Sequence, residues 1–452
     1  MASIKVDFSK NMGKVKPMHA TNNGPAVEMK YLKEGRLHPF NNNLYEFKEA
    51  GIPYARTHDS SFYHRYGQEH TVDVYYIFPN FDADPYDPKN YDFECTDQYL
   101  LGCELAGTEV FYRLGQRIEH EVKKYGIHPP KDFQKWAVIC EHIIRHYTEG
   151  WANGFKMKME YWEIWNEPDL HWNNGHVSPT WSGTKEQFFE FYHVAATHLK
   201  NCFPNLKIGG PALAGDLEWA EDFLAHLKAP LDFFSWHCYS HSVEKMVAKS
   251  QKVRELLDKY GFEKAESILN EWNYVLGWHG DDIVYSHEQR RKIKGASFSL
   301  AAMCACQNSS IDMLMYYDAR PNEFWNGMFD DMVIGRVLKG YYPFPMFNTL
   351  YRLGNSVEAL SDENTVYVGA AMNGERAAVV LTHFVDEESE AKDVSIELSG
   401  FGGESGTELE IYLLDDAHDL ERIQTVVFFG DRFVFKKDVP NYTSYLFKLK
   451  RI

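Results

Sequence analysis

Two patterns of hydrophobic positions divide the chain into two parts. From about residue 16 to residue 344, short runs of apolar, β-branched or aromatic residues alternate with longer stretches in which apolar residues recur every three or four positions. This alternation is typical of repeated β-α units, which build a parallel sheet covered by helices. The strand-like runs in this part are Pro17 to Ala20, Tyr54 to Thr57, Glu109 to Leu114, Tyr161 to Trp165, Lys207 to Gly209, Phe233 to His237, Ser267 to Asn270 and Met313 to Tyr317. Eight strands with helices between them predict an α/β fold, the (β/α)8 barrel or TIM barrel.

Amphipathic stretches between these runs predict helices. Four of them show helical spacing of their apolar residues: Lys131 to Gly150, Thr184 to Cys202, Ser242 to Tyr260 and Glu288 to Cys306. The stretch Asp73 to Asp92 is instead rich in Asp, Pro and Asn, which interrupt regular structure. We therefore expect a long loop after the second strand, and such loops often contribute to substrate pockets.

After about residue 345 the pattern changes to short strand-like runs at close spacing. Turns rich in Gly, Asn and Asp separate these runs, as in an all-β sandwich. The runs are Val366 to Met372, Ala377 to Phe384, Val394 to Leu398, Leu409 to Leu414, Thr425 to Phe429, Arg432 to Phe435 and Ser444 to Leu449. We predict a catalytic barrel domain over residues 16–344 and a C-terminal β-sandwich domain over residues 345–452. A further run, Ile4 to Phe8, predicts that residues 1–15 join the sandwich.

Composition and charge restrict the class of protein. Hydrophobic residues make up 44% of the chain and charged residues 25%, as in ordinary globular proteins, which excludes a disordered or fibrous chain. The net charge of −18 repels phosphate backbones and anionic lipid headgroups, so neither nucleic acid nor a membrane is an expected partner. The first residues lack the apolar stretch of a secretion signal, and no apolar run is long enough to span a bilayer. We therefore expect a cytoplasmic protein.

The cysteine and histidine patterns do not predict a metal or a cofactor. The 7 cysteines include no Cys-x-x-Cys pair, so free buried thiols are expected. His142 and His146 share one face of a predicted helix, but no glutamate follows the first, as a zinc protease motif requires. We expect these two histidines on a solvated helix face, and we assign no metal and no cofactor.

Two glutamates follow apolar runs at the points where predicted strands end. The run Tyr161 to Trp165 leads to Glu167, and Pro168 ends the strand because proline cannot donate to a sheet hydrogen bond. Glu271 follows the run Ser267 to Asn270 in the same way. The carboxyl ends of barrel strands form the active-site face, so we expect both glutamates at one barrel mouth.

Two carboxyl groups facing one pocket are what glycoside hydrolysis requires. A protonated carboxyl group assists the leaving oxygen, and an ionised one attacks the anomeric carbon or activates water. If the second group is the nucleophile, the reaction is a double displacement with retention, and the carboxyl groups lie about 5 to 5.5 Å apart. Glu167 and Glu271 are thus the predicted catalytic pair.

The motif Trp165-Asn166-Glu167-Pro168, together with Glu271, resembles the catalytic motifs of clan A of the retaining glycoside hydrolases, and specifically those of glycoside hydrolase family 39. That family includes β-xylosidases, α-L-iduronidases and some arabinose-releasing enzymes. The resemblance extends over most of the chain. Further matching motifs are Asn22-Asn23-Gly24-Pro25, Arg56-Thr57-His58-Asp59 and His237-Cys238-Tyr239.

The resemblance implies a role for each matching residue. Glu167 would be the acid/base, Glu271 the nucleophile and Asn166 the partner of the sugar's 2-hydroxyl. Tyr239 would donate a hydrogen bond to Glu271, and Arg56 would keep Glu271 ionised.

General electrostatics favours the same division of roles. A carboxylate close to a guanidinium and a phenol hydroxyl is stabilised in its charged form, as a nucleophile requires. Glu167, expected against Trp162 or Trp165 and away from cations, should hold its proton longer.

Further residues near predicted strand ends are candidates for substrate binding. His58, Asp59 and His237 could bind sugar hydroxyls, although the histidines could equally make structural hydrogen bonds. Trp325 could stack on a pyranose ring or pack in the core. Glu323 could reach a hydroxyl or be a solvated loop carboxylate.

These residues predict a retaining exo-glycosidase that removes terminal sugars from short oligosaccharides, with β-xylosidase as the favoured activity. Release of arabinose, glucose or galactose by a similar enzyme is one alternative, and a non-catalytic carbohydrate-binding protein is another. The expected partner is an oligosaccharide substrate. The sandwich also offers a surface on which a homo-oligomer could assemble.

Overall fold

A barrel and a sheet make up the described part of the chain. The computed structural model describes residues 1–38, 40–59, 70–170 and 178–452. These residues form a closed barrel of eight parallel strands and a separate seven-stranded sheet. The predicted fold class, a (β/α)8 barrel with a C-terminal all-β region, is confirmed.

The barrel strands follow β1 (Ala2–Lys14), which belongs to the other sheet. They are β2 (Ala20–Asn22), β3 (Tyr54–Arg56), β4 (Glu109–Leu114), β5 (Tyr161–Ile164), β6 (Lys207–Leu213), β7 (Phe233–Tyr239), β8 (Glu266–Asn273) and β9 (Met313–Tyr316). Each strand pairs in parallel with the next, and β2 pairs with β9 to close the barrel. Strand β8 is longer than predicted because its last three residues pair with the end of β7 beyond a register shift. Glu271 therefore lies within a strand.

The helices lie between the strands and after the barrel. They are α1 (Met29–Lys33), α2 (Leu44–Ala50), α3 (Val74–Ile77), α4 (Glu94–Ala106), α5 (Phe133–Thr148), α6 (Lys185–Cys202), α7 (Leu217–His226), α8 (Val243–Lys259), α9 (Gly280–Arg290), α10 (Ile293–Gln307) and α11 (Pro343–Leu353). Side-chain caps start several of them; Thr184 and Gln187 form a reciprocal capping box at α6. Among the described residues, no helix combines the length and apolar character needed to cross a membrane.

The predicted helix Glu288 to Cys306 is two helices, α9 and α10. Lys292 has an extended backbone between them, with φ −107° and ψ 178°. The two helices have different surroundings: α9 keeps an exposed face, whereas α10 is buried on nearly every side between the barrel and the C-terminal sheet. A single straight helix could not keep one half at the surface and bury the other half, so the chain turns at Lys292.

Histidines 142 and 146 are buried, so the expectation of a solvated helix face was wrong. Nδ1 of His142 lies 2.8 Å from the carbonyl oxygen of Val138. Nε2 of His146 lies 3.0 Å from Oδ1 of Asp97, and its ring stacks on Phe93 at a centroid distance of 3.6 Å. The loop before α4 folds over this face of α5 and covers it.

An apolar layer fills the bottom of the barrel. The rings of Phe111, Tyr161 and Phe233 contact one another at centroid distances between 5.2 and 5.6 Å. Because side chains alternate along a strand, residues two positions later also point inward, closer to the barrel mouth. Arg113 and Glu163 occupy such positions, and both are fully buried. The interior thus changes from apolar to polar toward the carboxyl ends of the strands.

The C-terminal sheet closes on itself around a second apolar core. Its other strands are β10 (Asn355–Ser361), β11 (Val366–Met372), β12 (Arg376–His383), β13 (Lys392–Leu414), β14 (Asp419–Val439) and β15 (Ser444–Arg451). The strand order is β1-β10-β11-β12-β15-β13-β14. The first half of β13 pairs with β1 and its second half with β15, so this one strand belongs to both sides. Four of the predicted short strands are therefore parts of two long ones, β13 and β14.

Candidate active site

A strained turn after β5 presents Glu167 at the barrel mouth. Trp165 and Glu167 both have left-handed backbone conformations, with φ values of 74° and 48°. Such conformations are unfavourable for bulky residues and persist only where the surroundings hold them. Here the Glu167 amide donates to the carbonyl of Ala212 at 2.9 Å, and the hydroxyl of Thr180 donates to the carbonyl of Glu167 at 2.6 Å. The turn thus places the carboxyl group of Glu167 in a defined position.

Glu167 is buried beside a histidine and close to a second carboxylate. Its Oε1 lies 2.6 Å from Nδ1 of His237. Burial, followed by the negative charges of Glu271 and Asp169, raises the pKa of Glu167 well above its ordinary value. Glu167 therefore holds its proton to a higher pH than an ordinary glutamate does.

Glu271 has the opposite electrostatic environment. Nη1 of Arg56 donates to its Oε1 at 2.7 Å, and the hydroxyl of Tyr239 donates to its Oε2 at 2.7 Å. Burial opposes ionisation, but His237, His58, Arg56 and the Tyr239 hydrogen bond lower the pKa of Glu271 to about 2. Burial also lowers the pKa of His237 to about 4. Near neutrality His237 is therefore uncharged, whereas the guanidinium of Arg56 keeps its charge beside Glu271.

The two glutamates converge on a shared point. Nδ1 of His237 lies 2.6 Å from Glu167 and 3.3 Å from Oε2 of Glu271. One oxygen from each carboxyl group and this nitrogen all lie within 4.8 Å of one another. The two carboxyl groups therefore lie at the same mouth of the barrel, as expected from the sequence.

Arg56 organises the floor of the site. It is fully buried, and besides Glu271 it donates to Glu163 from Nε at 2.6 Å, to Asn22 from Nη1 at 2.9 Å and to Asn166 from Nη2 at 2.7 Å. These bonds hold the guanidinium in one orientation below both catalytic candidates. Arg56 also fixes the orientation of the Asn166 amide, because its Nη2 donates a hydrogen bond to Oδ1 of that side chain.

Glu163 is a site residue that the sequence analysis missed. Its Oε1 accepts a hydrogen bond from Nδ2 of Asn270, and its Oε2 faces Arg56. The sequence did contain a signal for this residue, namely a charged side chain within an apolar strand. Such a side chain points either into the barrel or out of it, and a charge that points into the barrel requires a charged partner. The strand pattern alone did not indicate which direction Glu163 takes.

Two polar atoms at the mouth lack partners among the described residues. These are Nδ2 of Asn166 and Nε2 of His237, both buried. A buried donor without a partner is costly, and a bound hydroxyl-rich ligand offers the missing partner. Asn166 and His237 therefore lie where they can hold sugar hydroxyls.

The predicted rim residues His58 and Asp59 form a chain of contacts with Arg320. Nδ1 of His58 lies 3.0 Å from Oδ2 of Asp59, and Nε2 of His58 lies 3.5 Å from Oε1 of Glu271. Nη1 of Arg320 lies 3.4 Å from Asp59. Burial opposes ionisation, but Arg320 and His58 keep the pKa of Asp59 well below its ordinary value. Glu323 is partly exposed and forms an ion pair with Arg320 at 2.7 Å.

An aromatic cluster lines the same side of the mouth. The ring of Trp325 lies 5.0 Å from Tyr239 and 5.8 Å from Trp278. The guanidinium of Arg290 covers Trp325 at 4.3 Å from its centroid. Trp278, which the sequence analysis missed, is 53% exposed and contacts Tyr239 at 5.4 Å. Its position in the loop after β8, at the active-site end of the barrel, is the feature of the sequence that could have identified it.

Trp162 and Trp165 do not supply the hydrophobic contact that was expected for Glu167. Trp162 stacks on Tyr112 at 5.2 Å, and Trp165 packs edge-on against Trp181 at 5.2 Å. Both indoles are buried in the core outside the barrel. The raised pKa of Glu167 follows instead from its own burial and from the nearby charge of Glu271.

Curated relatives match short parts of the chain. A "Beta-xylosidase" of Geobacillus stearothermophilus is 34% identical over 121 residues, which cover 26% of this chain and 23% of the relative. A "Beta-xylosidase" of Caldicellulosiruptor saccharolyticus is 31% identical over 165 residues, covering 33% of this chain and 32% of the relative. The aligned part is thus no more than a third of either relative's length.

Solved structures match over the whole chain. A glucosidase from Croceicoccus marinus superposes with a TM-score of 0.80 at 20% identity, covering 100% of this chain and 99% of that one. A monomeric β-xylosidase from Caulobacter crescentus gives a TM-score of 0.72 at 17% identity, with 100% of both chains covered. At these identities the likeness shows the fold. The model of the family "Glycosyl hydrolases family 39" matches residues 2–276, more than half of the chain. The chain therefore belongs to glycosyl hydrolases family 39, as its motifs predicted.

Proposed function

We propose that this protein is a retaining exo-glycosidase that releases terminal β-xylose from short oligosaccharides. The observation that carries the proposal is the pair Glu167 and Glu271, which converge at one mouth with pKa values shifted in opposite directions. A retained proton and a retained negative charge on neighbouring carboxyl groups are the starting state of double displacement. Two curated relatives named as β-xylosidases support the choice of sugar.

In the first step, Glu271 attacks the anomeric carbon while Glu167 transfers its proton to the leaving glycosidic oxygen. The bond to the leaving group breaks, and a covalent bond forms between the sugar and Glu271. Oxygens of the two carboxyl groups lie within 4.8 Å of each other. This spacing supports retention, because inverting enzymes need about 6.5 to 9.5 Å to admit a water molecule between the groups.

In the second step, Glu167 acts as a base. Once Glu271 is esterified it has lost its negative charge, so one cause of the raised pKa of Glu167 disappears. Glu167, now ionised, takes a proton from a water molecule, which attacks the anomeric carbon and releases the sugar. The same carboxyl group thus changes its proton affinity because of the reaction itself.

The surrounding residues bind and orient the sugar. Nδ2 of Asn166 is free to donate to a hydroxyl, because Arg56 holds the other end of the amide. Nε2 of His237 also lacks a hydrogen-bond partner among the described residues and can bind another hydroxyl. Trp325 and Trp278 offer rings on which a pyranose can stack.

A panel of aryl glycosides tests the proposal. Aryl xyloside should be cleaved faster than the arabinoside, glucoside, galactoside and fucoside, and NMR should show that the first product keeps the substrate's anomeric configuration. Xylo-oligosaccharides should yield only the monosaccharide at early times if action is exo.

Variants separate catalysis from simple carbohydrate binding. Glu271→Ala should abolish turnover, and Glu167→Ala should recover part of it with azide, which attacks the glycosyl-enzyme without a base. Glu266→Gln is a matched control, because Glu266 lies at the opposite end of the same strand and pairs with Lys207. Equal activity in all three variants, or no turnover of any glycoside by the wild type, would leave a non-catalytic binding protein as the better account.

A further inference from the structure

A second cluster of metal-ligating side chains lies on the outside of the barrel. It consists of Glu141 on α5 with His198 and Cys202 on α6. Nε2 of His198 lies 2.7 Å from Oε2 of Glu141 and 3.7 Å from Sγ of Cys202. The three donor atoms all lie within 4.8 Å of one another. They are one nitrogen, one oxygen and one sulfur, which is a donor set suited to zinc.

The helices place these side chains on facing surfaces. His198 and Cys202 are four residues apart on α6, so they lie one turn apart on the same face. Helix α5 packs against α6 and presents Glu141 to that face. The side chains of Glu141 and His198 keep 14% and 19% exposure, so an ion could enter from solvent without unfolding the helices.

Two further residues hold the candidate ligands in place. Nε2 of Gln134 lies 2.8 Å from Nδ1 of His198, on the side of the ring away from the cluster, and turning this amide over brings its oxygen to the same nitrogen. Nε of Arg145 donates to Oε1 of Glu141 at 2.8 Å and leaves Oε2 facing the histidine. Partners of this kind orient metal ligands and select the histidine tautomer in known zinc sites.

We propose that Glu141, His198 and Cys202 bind one Zn²⁺ ion through Oε2, Nε2 and Sγ, with the fourth position open to solvent. Zinc bonds of about 2.0 to 2.3 Å imply distances of about 3.3 to 3.6 Å between tetrahedral ligands. The nitrogen–sulfur distance of 3.7 Å already fits, and the nitrogen–oxygen distance of 2.7 Å must open by less than about 1 Å. Binding releases the thiol proton of Cys202. The ring proton of His198 moves from Nε2 to Nδ1, where the oxygen of the Gln134 amide, once turned over, accepts a hydrogen bond from it.

Occupation of this site would link two neighbouring helices of the barrel. Helix α5 precedes β5 and α6 follows the turn that contains Glu167, so the ion would join elements on both sides of the catalytic strand. Because the ligands come together only in the folded chain, the ion stabilises the native state. A thiolate ligand favours Zn²⁺ over the hard cations Mg²⁺ and Ca²⁺.

Thiol labelling with N-ethylmaleimide, read at each cysteine by peptide mass spectrometry, tests the site directly. With Zn²⁺ in excess, labelling of Cys202 should slow by about tenfold or more, since a metal-bound sulfur is not available as a nucleophile. Mg²⁺ should have no effect. Cys95, which is half-buried and lies outside the cluster, is the internal reference and should react equally in all samples.

Zinc titrations followed by calorimetry and by thermal unfolding supply the second measurement. The wild type should bind one equivalent at this site and unfold at a higher Tm with Zn²⁺, whereas His198→Ala and Cys202→Ser should lose both effects. Cys95→Ser is the matched control and should keep them. The active-site group of Glu167, His237 and Glu271 could also take an ion. The titration is therefore repeated with Glu167→Gln, which should retain the binding at Cys202.

Two results would overturn the proposal. One is an unchanged labelling rate of Cys202 in the wild type with Zn²⁺, which needs no variant to fold. The other is equal zinc affinity and equal Tm gain in His198→Ala, Cys202→Ser and the wild type.

Discussion

Arg56 donates from Nη1 to Oε1 of Glu271 at 2.7 Å, with both side chains out of contact with solvent. The guanidinium stays charged at every ordinary pH, so this contact favours the ionised form of Glu271. The cost of burying the pair is offset by further hydrogen bonds to Glu163, Asn22 and Asn166. The ionisation of Glu271, the proposed nucleophile, thus depends on a residue that need not touch the sugar.

Replacing Arg56 by lysine should impair catalysis while keeping the charge. An ammonium group cannot serve four partners in fixed directions, so we expect kcat/KM to fall by about 100-fold or more. The acid limb of the pH profile should move upward, because the pKa of Glu271, now about 2, rises when its hydrogen bond is lost. Arg432→Lys, at an exposed ion pair with Glu397 on the C-terminal sheet, is the control and should leave both quantities unchanged. An unshifted acid limb in Arg56→Lys would contradict this account.

Removing Glu163 should act through Arg56. With Glu163→Ala the guanidinium loses its bond at Nε and Asn270 loses its acceptor. We expect kcat to fall by about 10- to 100-fold, because small displacements of catalytic groups are costly, with a smaller change in KM. Glu163→Gln keeps an acceptor for Arg56 and should recover part of the activity. Steady-state kinetics measures both constants, and circular dichroism checks that the variants fold. A rise in KM as large as the fall in kcat would indicate a general disruption of the site.

Glu167 should control the alkaline limb of activity. The protonated form is required in the first step, and its pKa is raised by burial and by Glu271. The kcat/KM of the wild type should therefore decrease as the pH rises through this pKa. With an activated aryl leaving group, Glu167→Gln should lack this alkaline limb, since no proton transfer is needed. A limb of the same position in the variant would assign it to another group.

The same residue should make the protein less stable at high pH. The folded state binds the Glu167 proton more tightly than the unfolded state does, so this contribution is complete below the ordinary pKa of 4.5 and is lost as the pH rises through the folded value. The loss is at most about 1.4 kcal/mol per pH unit. Glu167→Gln, which cannot ionise, should therefore unfold at a higher Tm than the wild type at pH 8 and at a similar Tm at pH 4. Equal differences at both pH values would contradict the assigned direction.

Trp278 should contribute to binding of the second sugar. Its ring is 53% exposed and adjoins Tyr239, so its removal should not disturb the core. For Trp278→Ala we expect KM for xylobiose to rise by about 3- to 10-fold, the loss of one stacking contact, with little change for an aryl xyloside. Tyr45 is an exposed aromatic residue on α2, far from Trp278 in the sequence, and Tyr45→Ala serves as the control. An equal rise in KM for both substrates would place Trp278 elsewhere in the site.

Local patterns in the sequence were sufficient to predict the fold class. A short apolar run marks each barrel strand, and periodicity marks several of the longer helices, since these signals come from burial on one or both faces. They also predicted that Glu167 and Glu271 follow apolar runs. They failed where two runs merge, as in β13, because pairing partners determine whether a glycine-rich stretch turns or continues as a strand.

The sequence by itself determined which residues can do chemistry and which strands carry them, because these follow from residue type and from periodicity. The tertiary structure alone decided how those residues act on one another. Glu163 accepts a hydrogen bond from Arg56, His237 lies close to both glutamates, and Glu141 on α5 lies beside His198 on α6. Proton affinities depend on distances of a few ångström between groups far apart in the chain, and no local pattern encodes such distances.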